Sequence, residues 1–236
     1  MSELFKIDFE ENNLNDFTGG VSDADGHLTV TAGAAMGGSN YGMNCNIADT
    51  NTMFGKSPVF DPPTVLRFRF YYDPNTATFS DYASTVMIQR RGGDWAYWVE
   101  VKVTSDLVLL NVEGDTGQIY TGSKSITDAP HYIEINIVRA TTDISSDGTV
   151  QWWVDGVSVA SVNGKDNYNE MLDYTHELRW GILYPVAGTT GNVFLDEFVA
   201  NNDGSEIGPL GGGSDISVNI SPEAGTSRAT GVRVYP

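Results

Sequence analysis

The chain has 236 residues, with 31 Asp and Glu against 13 Lys and Arg and a formal net charge of −18. Such a surface repels nucleic acid and anionic membranes, and no apolar run is long enough to span a bilayer, so neither is expected as a partner. The length allows a full core in one domain, and 26 glycines with 11% aromatic residues fit an all-β chain rich in turns.

Cys45 is the single cysteine, which excludes an internal disulfide and a cysteine metal cluster. The start, Met1–Ser2–Glu3–Leu4–Phe5–Lys6, lacks the basic and apolar regions of a secretory signal. With no signal peptide seen, the expected location is a virion surface, reached by lysis, or an extracellular site.

In chain order, Phe5–Lys6–Ile7–Asp8–Phe9–Glu10–Glu11 reads as a short strand ending in acids. Leu66, Phe68, Phe70 and Tyr72 alternate with Arg67, Arg69 and Tyr71, and Asp73–Pro74–Asn75 ends that strand with turn chemistry. Residues 84–89 and 95–103 are strands joined by a loop at 90–94; Val99, Val101 and Val103 share one face, Glu100 and Lys102 the other. Gly114–Asp115–Thr116–Gly117 signals a hairpin between strands at 107–112 and 118–121. Ile133, Ile135 and Ile137 oppose Glu134 and Asn136. Val150, Trp152 and Val154 oppose Gln151, Trp153 and Asp155, before a tight turn at Asp155–Gly156. Residues 163–174 are polar and read as a short helix or a surface loop. The strands at 177–183 and 193–200 close a set of roughly eleven to thirteen. In the last one, alternation places Phe194, Asp196 and Phe198 on one face, with a carboxylate between two aromatics.

Residues 1–207 thus form one sandwich, and 208–214 are a Gly-rich linker. Residues 215–236 form a hairpin-like β extension, in which Ile216, Val218 and Ile220 alternate before Pro222–Glu223–Ala224–Gly225, and Val232 and Val234 after it. One hairpin cannot fold alone. It is expected to tie the chain to a neighbouring subunit or another particle protein, with folding back on its own sandwich as the alternative.

Four strings occur in a recognisable order: Phe70–Tyr71–Tyr72–Asp73–Pro74, Ile126–Thr127–Asp128–Ala129–Pro130–His131–Tyr132–Ile133–Glu134–Ile135, Trp153–Val154–Asp155–Gly156–Val157 and Phe194–Leu195–Asp196–Glu197–Phe198. With the N-terminal strand they resemble a concanavalin A-like lectin/glucanase (laminin G-like) module over about residues 3–207. The stretch 201–209 and Ile220–Ser221–Pro222–Glu223–Ala224–Gly225–Thr226 are similar to segments of tailed-phage structural proteins. The resemblance implies a two-sheet antiparallel jelly-roll β-sandwich. It does not fix a function, because members include lectins, glycosidases, lyases and structural shells.

Retaining glucanases of this family carry Glu–x–Asp–x–Glu on one strand face, so that one acid attacks while another protonates. Here Trp98–Val99–Glu100–Val101–Lys102 puts a lysine in place of the second acid, Tyr132–Ile133–Glu134–Ile135–Asn136 offers one acid, and Asp196 and Glu197 are adjacent. His27, His131 and His176 have no spacing that ties them into a lyase set. No catalytic residue is expected. The resemblance does imply a structural Ca²⁺ where the first and last strands meet, with Glu10 and Asp196 as ligands and Asp8 or Asn12 nearby. The alternative has Asp196 accepting backbone N–H groups or an arginine. Trp153, Trp95 and Tyr97 are candidate sugar-stacking residues, with Trp98 and Trp180 also available. Packing at an interface or in the core is the competing reading for such side chains. The overall expectation is a non-enzymatic structural or adhesion protein of a phage particle or extracellular assembly, of decoration or fibre type, oligomeric or bound to other virion proteins, with surface glycans as ligands. The alternatives are a secreted bacterial lectin or carbohydrate-binding module, and a divergent glycoside hydrolase or polysaccharide lyase.

Overall fold

Strict alternation of apolar and polar residues predicts strands that bury one face each, and the computed structural model, which describes residues 2–91, 97–172 and 175–210, is built from them. Fifteen strands run in chain order among the described residues: β1 Glu3–Ile7, β2 Gly20–Ser22, β3 Leu28–Thr31, β4 Gly42–Ile47, β5 Met53–Lys56, β6 Val65–Asp73, β7 Ala83–Arg91, β8 Tyr97–Val103, β9 Leu107–Gly114, β10 Gly117–Ser125, β11 His131–Val138, β12 Gly148–Val154, β13 Val157–Lys165, β14 Thr175–Leu183 and β15 Gly191–Asn201. The polar stretch after β13 holds a single short helix, α1 Tyr168–Leu172. No helix among the described residues is long and apolar enough to cross a membrane.

The strands form two antiparallel sheets. Sheet A runs β13-β12-β11-β6-β15-β4-β3, with β1 also on β15; sheet B runs β10-β9-β8-β7-β14-β5-β2. This is a two-sheet jelly-roll sandwich. The residues read as inward do face inward: Phe68, Phe70, Tyr72, Val99, Val101, Ile133, Ile135, Val150 and Trp152 are all fully buried. The two hairpin signals also form as read. Gly114 pairs with Gly117 across a two-residue loop, and Asp155 and Gly156 both take positive φ, 51° and 72°, as a primed turn requires.

One expectation fails on a single residue. Glu197 adopts φ 53°, and the register of β15 against β6 shifts between Asp196 and Val199. This bulge inserts a residue and reverses the alternation. Val193 and Leu195 face the core before it, and Phe198 and Ala200 after it. Phe198 stacks on Phe68 and Phe70 at 5.5 and 6.0 Å between ring centroids. Phe194 and Asp196 stay on the other face, so the three do not share one. The bulge also marks a change of neighbour: β4 pairs with residues 191–195 and β1 with 198–201. An opening remains between the ends of β1 and β4, and Asp196 lies at it.

Two of the tryptophans counted as available are core. Trp180 packs against Phe9 and Phe198 at 5.6 and 5.3 Å, and Trp98 against His176 at 5.2 Å. Residues 201–210 cross the outer face of sheet A, where Arg67 Nη1 donates to the Gly204 carbonyl (3.0 Å). Ile207 and Gly208 N–H donate to Glu134 (2.9 and 3.0 Å), and Leu210 N–H donates to Tyr71 Oη (2.8 Å). Residues 211–236, with Ile216, Val218, Ile220, Val232 and Val234, lie outside the described residues.

Candidate functional site

Antiparallel pairing puts register partners on the same face. On the outer face of sheet B this builds three rungs. Tyr97, Gln89 and Glu177 form one. Asn111, Glu100, Met87, Arg179 and Lys56 form the next. Leu109, Lys102, Ser84 and Leu183 form the third. The polar members are unusually buried for an outer face: Glu100 is 4% exposed, Gln89 and Asn111 5%, Glu177 6%. Phe54, Met87, Leu183 and Tyr97 form an apolar patch among them.

Each of the two carboxylates on these rungs meets a cation. Glu100 accepts from Ser84 Oγ and Asn111 Nδ2 and pairs with Lys102 at 3.4 Å. Glu177 pairs with Arg179 at 3.4 Å, and the guanidinium lies 5.0 Å from the Phe54 ring centroid. Gln89 Oε1 is buried and accepts no hydrogen bond among the described residues. A buried amide oxygen without a donor is costly, and an incoming hydroxyl would satisfy it. Tyr97, one of the candidate stacking residues, is on this floor. Burial, then the nearby Glu100 and Glu113, push its phenol up, which holds the proton on. No histidine among the described residues joins the floor. His176 faces the core with Nε2 near the Met171 carbonyl, and His131 pairs with Asp155 at 2.6 Å on the other sheet. Trp95 lies outside the described residues.

At the opening beside the β15 bulge, the structure brings Glu10 and Asp196 to one loop. Asp196 Oδ2 accepts from Met36 N–H (2.8 Å) and from Ser39 Oγ. Glu10 accepts from Asn40 N–H (2.8 Å), Asn40 Nδ2 (2.5 Å) and Tyr41 N–H (3.3 Å). Asp196 therefore does take a backbone N–H, as the alternative reading anticipated, but through one oxygen only. Its Oδ1 is buried without a partner. Burial pushes the carboxyl up to about 7 against Ser39, Met36 N–H and the Glu197 backbone, and the charge of the Glu197 side chain adds to the rise. Asp8 does not face this loop oxygen to oxygen. It pairs with Lys6 at 3.0 Å and accepts the Glu10 N–H at 3.2 Å, so it positions Glu10 through the backbone. Glu197, also buried, is served by Lys6 at 3.5 Å, and its carbonyl accepts from Arg69. A group of three that sequence reading did not single out is Asp25, His27 and Asp49. Their ligand atoms lie within 4.8 Å of one another on the loops after β2 and β4.

Trp153 sits on the outer face of sheet A, half-buried, with the Arg67 guanidinium 5.0 Å from its ring centroid. Sequence reading missed Gln89, Asn111 and Arg179. Their signal was present in the polar side of alternating strands, but only the strand register shows that they meet.

No protein-family model matches the chain, and no curated protein does. Among solved structures it is similar to an endo-β-1,4-glucuronan lyase from the fungus Trichoderma reesei, with a TM-score of 0.62, 12% identity, 89% of this chain covered and 98% of that one. It is also similar to domain 4 of AbnA, a GH43 extracellular arabinanase from Geobacillus stearothermophilus in complex with arabinotriose (TM-score 0.57, 13% identity, 89% and 94%). A third is a carbohydrate esterase from the Shiga toxin-encoding bacteriophage phi24B (TM-score 0.56, 11% identity, 84% and 97%). At these identities the likeness is one of fold: a jelly-roll sandwich shared with carbohydrate-active proteins.

Proposed function

We propose that the protein is a non-enzymatic glycan-binding sandwich of an extracellular or particle-borne assembly, with the outer face of sheet B as its binding floor. The observation that carries the reading is the row of recessed polar side chains, Gln89, Glu100, Asn111, Glu177 and Arg179, beside the Phe54–Met87–Tyr97 patch, with Gln89 Oε1 unpartnered. Planar amides and paired charges next to apolar surface suit sugar hydroxyls and ring faces. The absence of turnover is inferred from the same floor: both carboxylates are engaged by cations, and the phenol holds its proton. The carbohydrate ligands and substrates of the structural neighbours support this reading by analogy of fold. The residues 216–234 that alternate in sequence are the proposed tie to a second copy or another particle protein.

The test is a binding and turnover panel of neutral and uronate oligosaccharides. Binding weakened about tenfold by Gln89→Ala or Asn111→Ala, without turnover, supports the proposal. Turnover abolished by Glu100→Gln overturns the non-enzymatic part, and no binding by any glycan overturns the whole. A uronate lyase is the second reading, favoured by Tyr97 and Arg179 on neighbouring rungs, and turnover lost in Tyr97→Phe selects it.

The proposal includes a structural Ca²⁺ at the β15 opening. Its fit rests on the buried Asp196 Oδ1 without a partner and on Glu10, whose carboxylate binds the same 36–41 loop that Asp196 binds through Met36 and Ser39. An all-oxygen set is what Ca²⁺ takes. Glu10 and Asp196 would hold the ion, which would supply positive charge against the two carboxylates beside the 36–41 loop. Added Ca²⁺ raises Tm and EDTA lowers it if this holds; an unchanged Tm in both removes the ion from the account.

A further inference from the structure

A second recess lies on the opposite side of the sandwich, where the outgoing chain crosses sheet A. It is a cavity of about 190 Å³ lined by Arg67, Tyr132, Glu134, Gln151, Trp153 and Glu206. That volume equals about six waters, below the range that takes drug-sized ligands, and it suits one sugar ring rather than a chain.

The site is built from fixed parts. Arg67 Nε and Glu134 form an ion pair at 2.6 Å, with both side chains largely buried. Arg67 holds the Gly204 carbonyl, and Glu134 holds the N–H groups of Ile207 and Gly208. Glu206 is therefore clamped from both sides at the cavity. Trp153 has the Arg67 guanidinium over its ring, and its register partner on β13 is Ser158, too small to cover it. Gln151 uses its Nε2 on Ser161 Oγ at 3.1 Å, which leaves Oε1 free. The Glu206 carboxylate takes no hydrogen bond among the described residues.

The unpartnered oxygens of Glu206 and Gln151 are acceptors, a carboxylate and an amide, beside the Trp153 indole and the Tyr132 phenol. Acceptors call for a ligand rich in donors, and the indole for one with an apolar face. Arg67 and Glu134 offset each other, so Glu206 is the unbalanced charge of the lining. Burial, then Glu134, Asp155, Tyr71 and Glu206, push the Tyr132 phenol up. A uronate carboxylate would meet the Glu206 charge directly.

We infer that this cavity is a second glycan site, which takes a single neutral sugar ring stacked on Trp153 with its hydroxyls donating to Glu206 and Gln151, and which rejects uronates. The site is independent of the sheet B floor and stands if that reading fails. The test follows the Trp153 indole N–H by NMR in the full chain, the signal being identified by its loss in Trp153→Phe. The probes are neutral trisaccharides of glucose, xylose, mannose, galactose and arabinose, and a β-1,4-linked triglucuronate. At least one neutral probe shifts the signal with a dissociation constant of order 1 mM, and the triglucuronate does not. Glu206→Ala, an exposed position that leaves the fold intact, weakens that shift tenfold or more, while Gln89→Ala leaves it unchanged. Absence of a shift with every neutral probe overturns the inference. An equal response to triglucuronate, or a response unaffected by Glu206→Ala, overturns the assignment of the ligand and its contacts.

Discussion

The two outer faces of the sandwich use similar residues for different ends. On sheet A, Arg67 and Glu134 pair with each other and also grip the passing backbone at Gly204, Ile207 and Gly208. On sheet B, Lys102 with Glu100 and Arg179 with Glu177 pair along their own strands, and the hydrogen bonds of Glu100 and Asn111 stay within the face. On sheet A the central ion pair carries chain as well as lining a recess. On sheet B no described hydrogen bond runs from Glu100 or Asn111 to a crossing segment, and the Gln89 amide oxygen lacks a donor among the described residues.

The contrast is most easily broken from the sheet A side. Glu134→Ala removes one member of a buried pair and two backbone anchors. It should cost about 3–5 kcal/mol in urea unfolding and speed hydrogen exchange at Ile207 and Gly208. A loss under 1 kcal/mol would show that the clamp is ornamental.

Next in size is the pH response of Asp196. Its carboxyl titrates at about 7 in the fold against 3.8 when free, so between these values the native state holds a proton that the unfolded chain has lost. Stability from this group is complete below pH 4 and lost as pH rises through 7, by at most about 4 kcal/mol. In EDTA, Tm should fall across that window, and Asp196→Asn should flatten the fall. Calcium should oppose it, because the ion favours the charged form.

On sheet B the effects are smaller. Gln89→Ala should weaken glycan binding about tenfold, or 1.4 kcal/mol, with Tm unchanged. Arg179→Ala should cost less, about 1 kcal/mol of stability, since Arg179 is more exposed than Arg67 and meets its carboxylate at 3.4 Å rather than 2.6 Å. If it destabilised as much as Glu134→Ala, the two faces would not differ in kind.

Much of this architecture was legible in sequence. Period-two alternation at Leu66–Tyr72, Ile133–Ile137 and Val150–Val154 identified the core face of three sheet A strands, because branched and aromatic side chains on every second residue have no other stable use. The strands at 20–56 were not legible. They are three to six residues long and rich in Gly and Asn, as at Gly42–Ile47, and their strand character comes from partners far along the chain. One of them needs its glycine for packing: a Cβ on Gly55 would lie 2.1 Å from the Phe17 ring. The bulge at Glu197 was equally silent, since a non-glycine residue at positive φ carries no marker in sequence. Glu10 and Asp196 were found through a resemblance, whereas Ser39 and Asn40, which meet them, emerged only from the loop's position. The floor on sheet B shows the same limit. Each strand announced which residues were polar, but not which rungs they would share.

The strap of residues 201–210 has a mechanical consequence. Tension on whatever follows Leu210 does not peel β15 from the edge of its partners. It arrives first at Tyr71 and Glu134, on β6 and β11 in the interior of sheet A. Load is thereby spread over strands braced on both sides, and the hydrogen bonds at 210, 208, 207 and 204 lie in that order between the pull and β15. The sandwich is fitted with a strain relief between its core and its C-terminal segment, as a cable is where it leaves its housing.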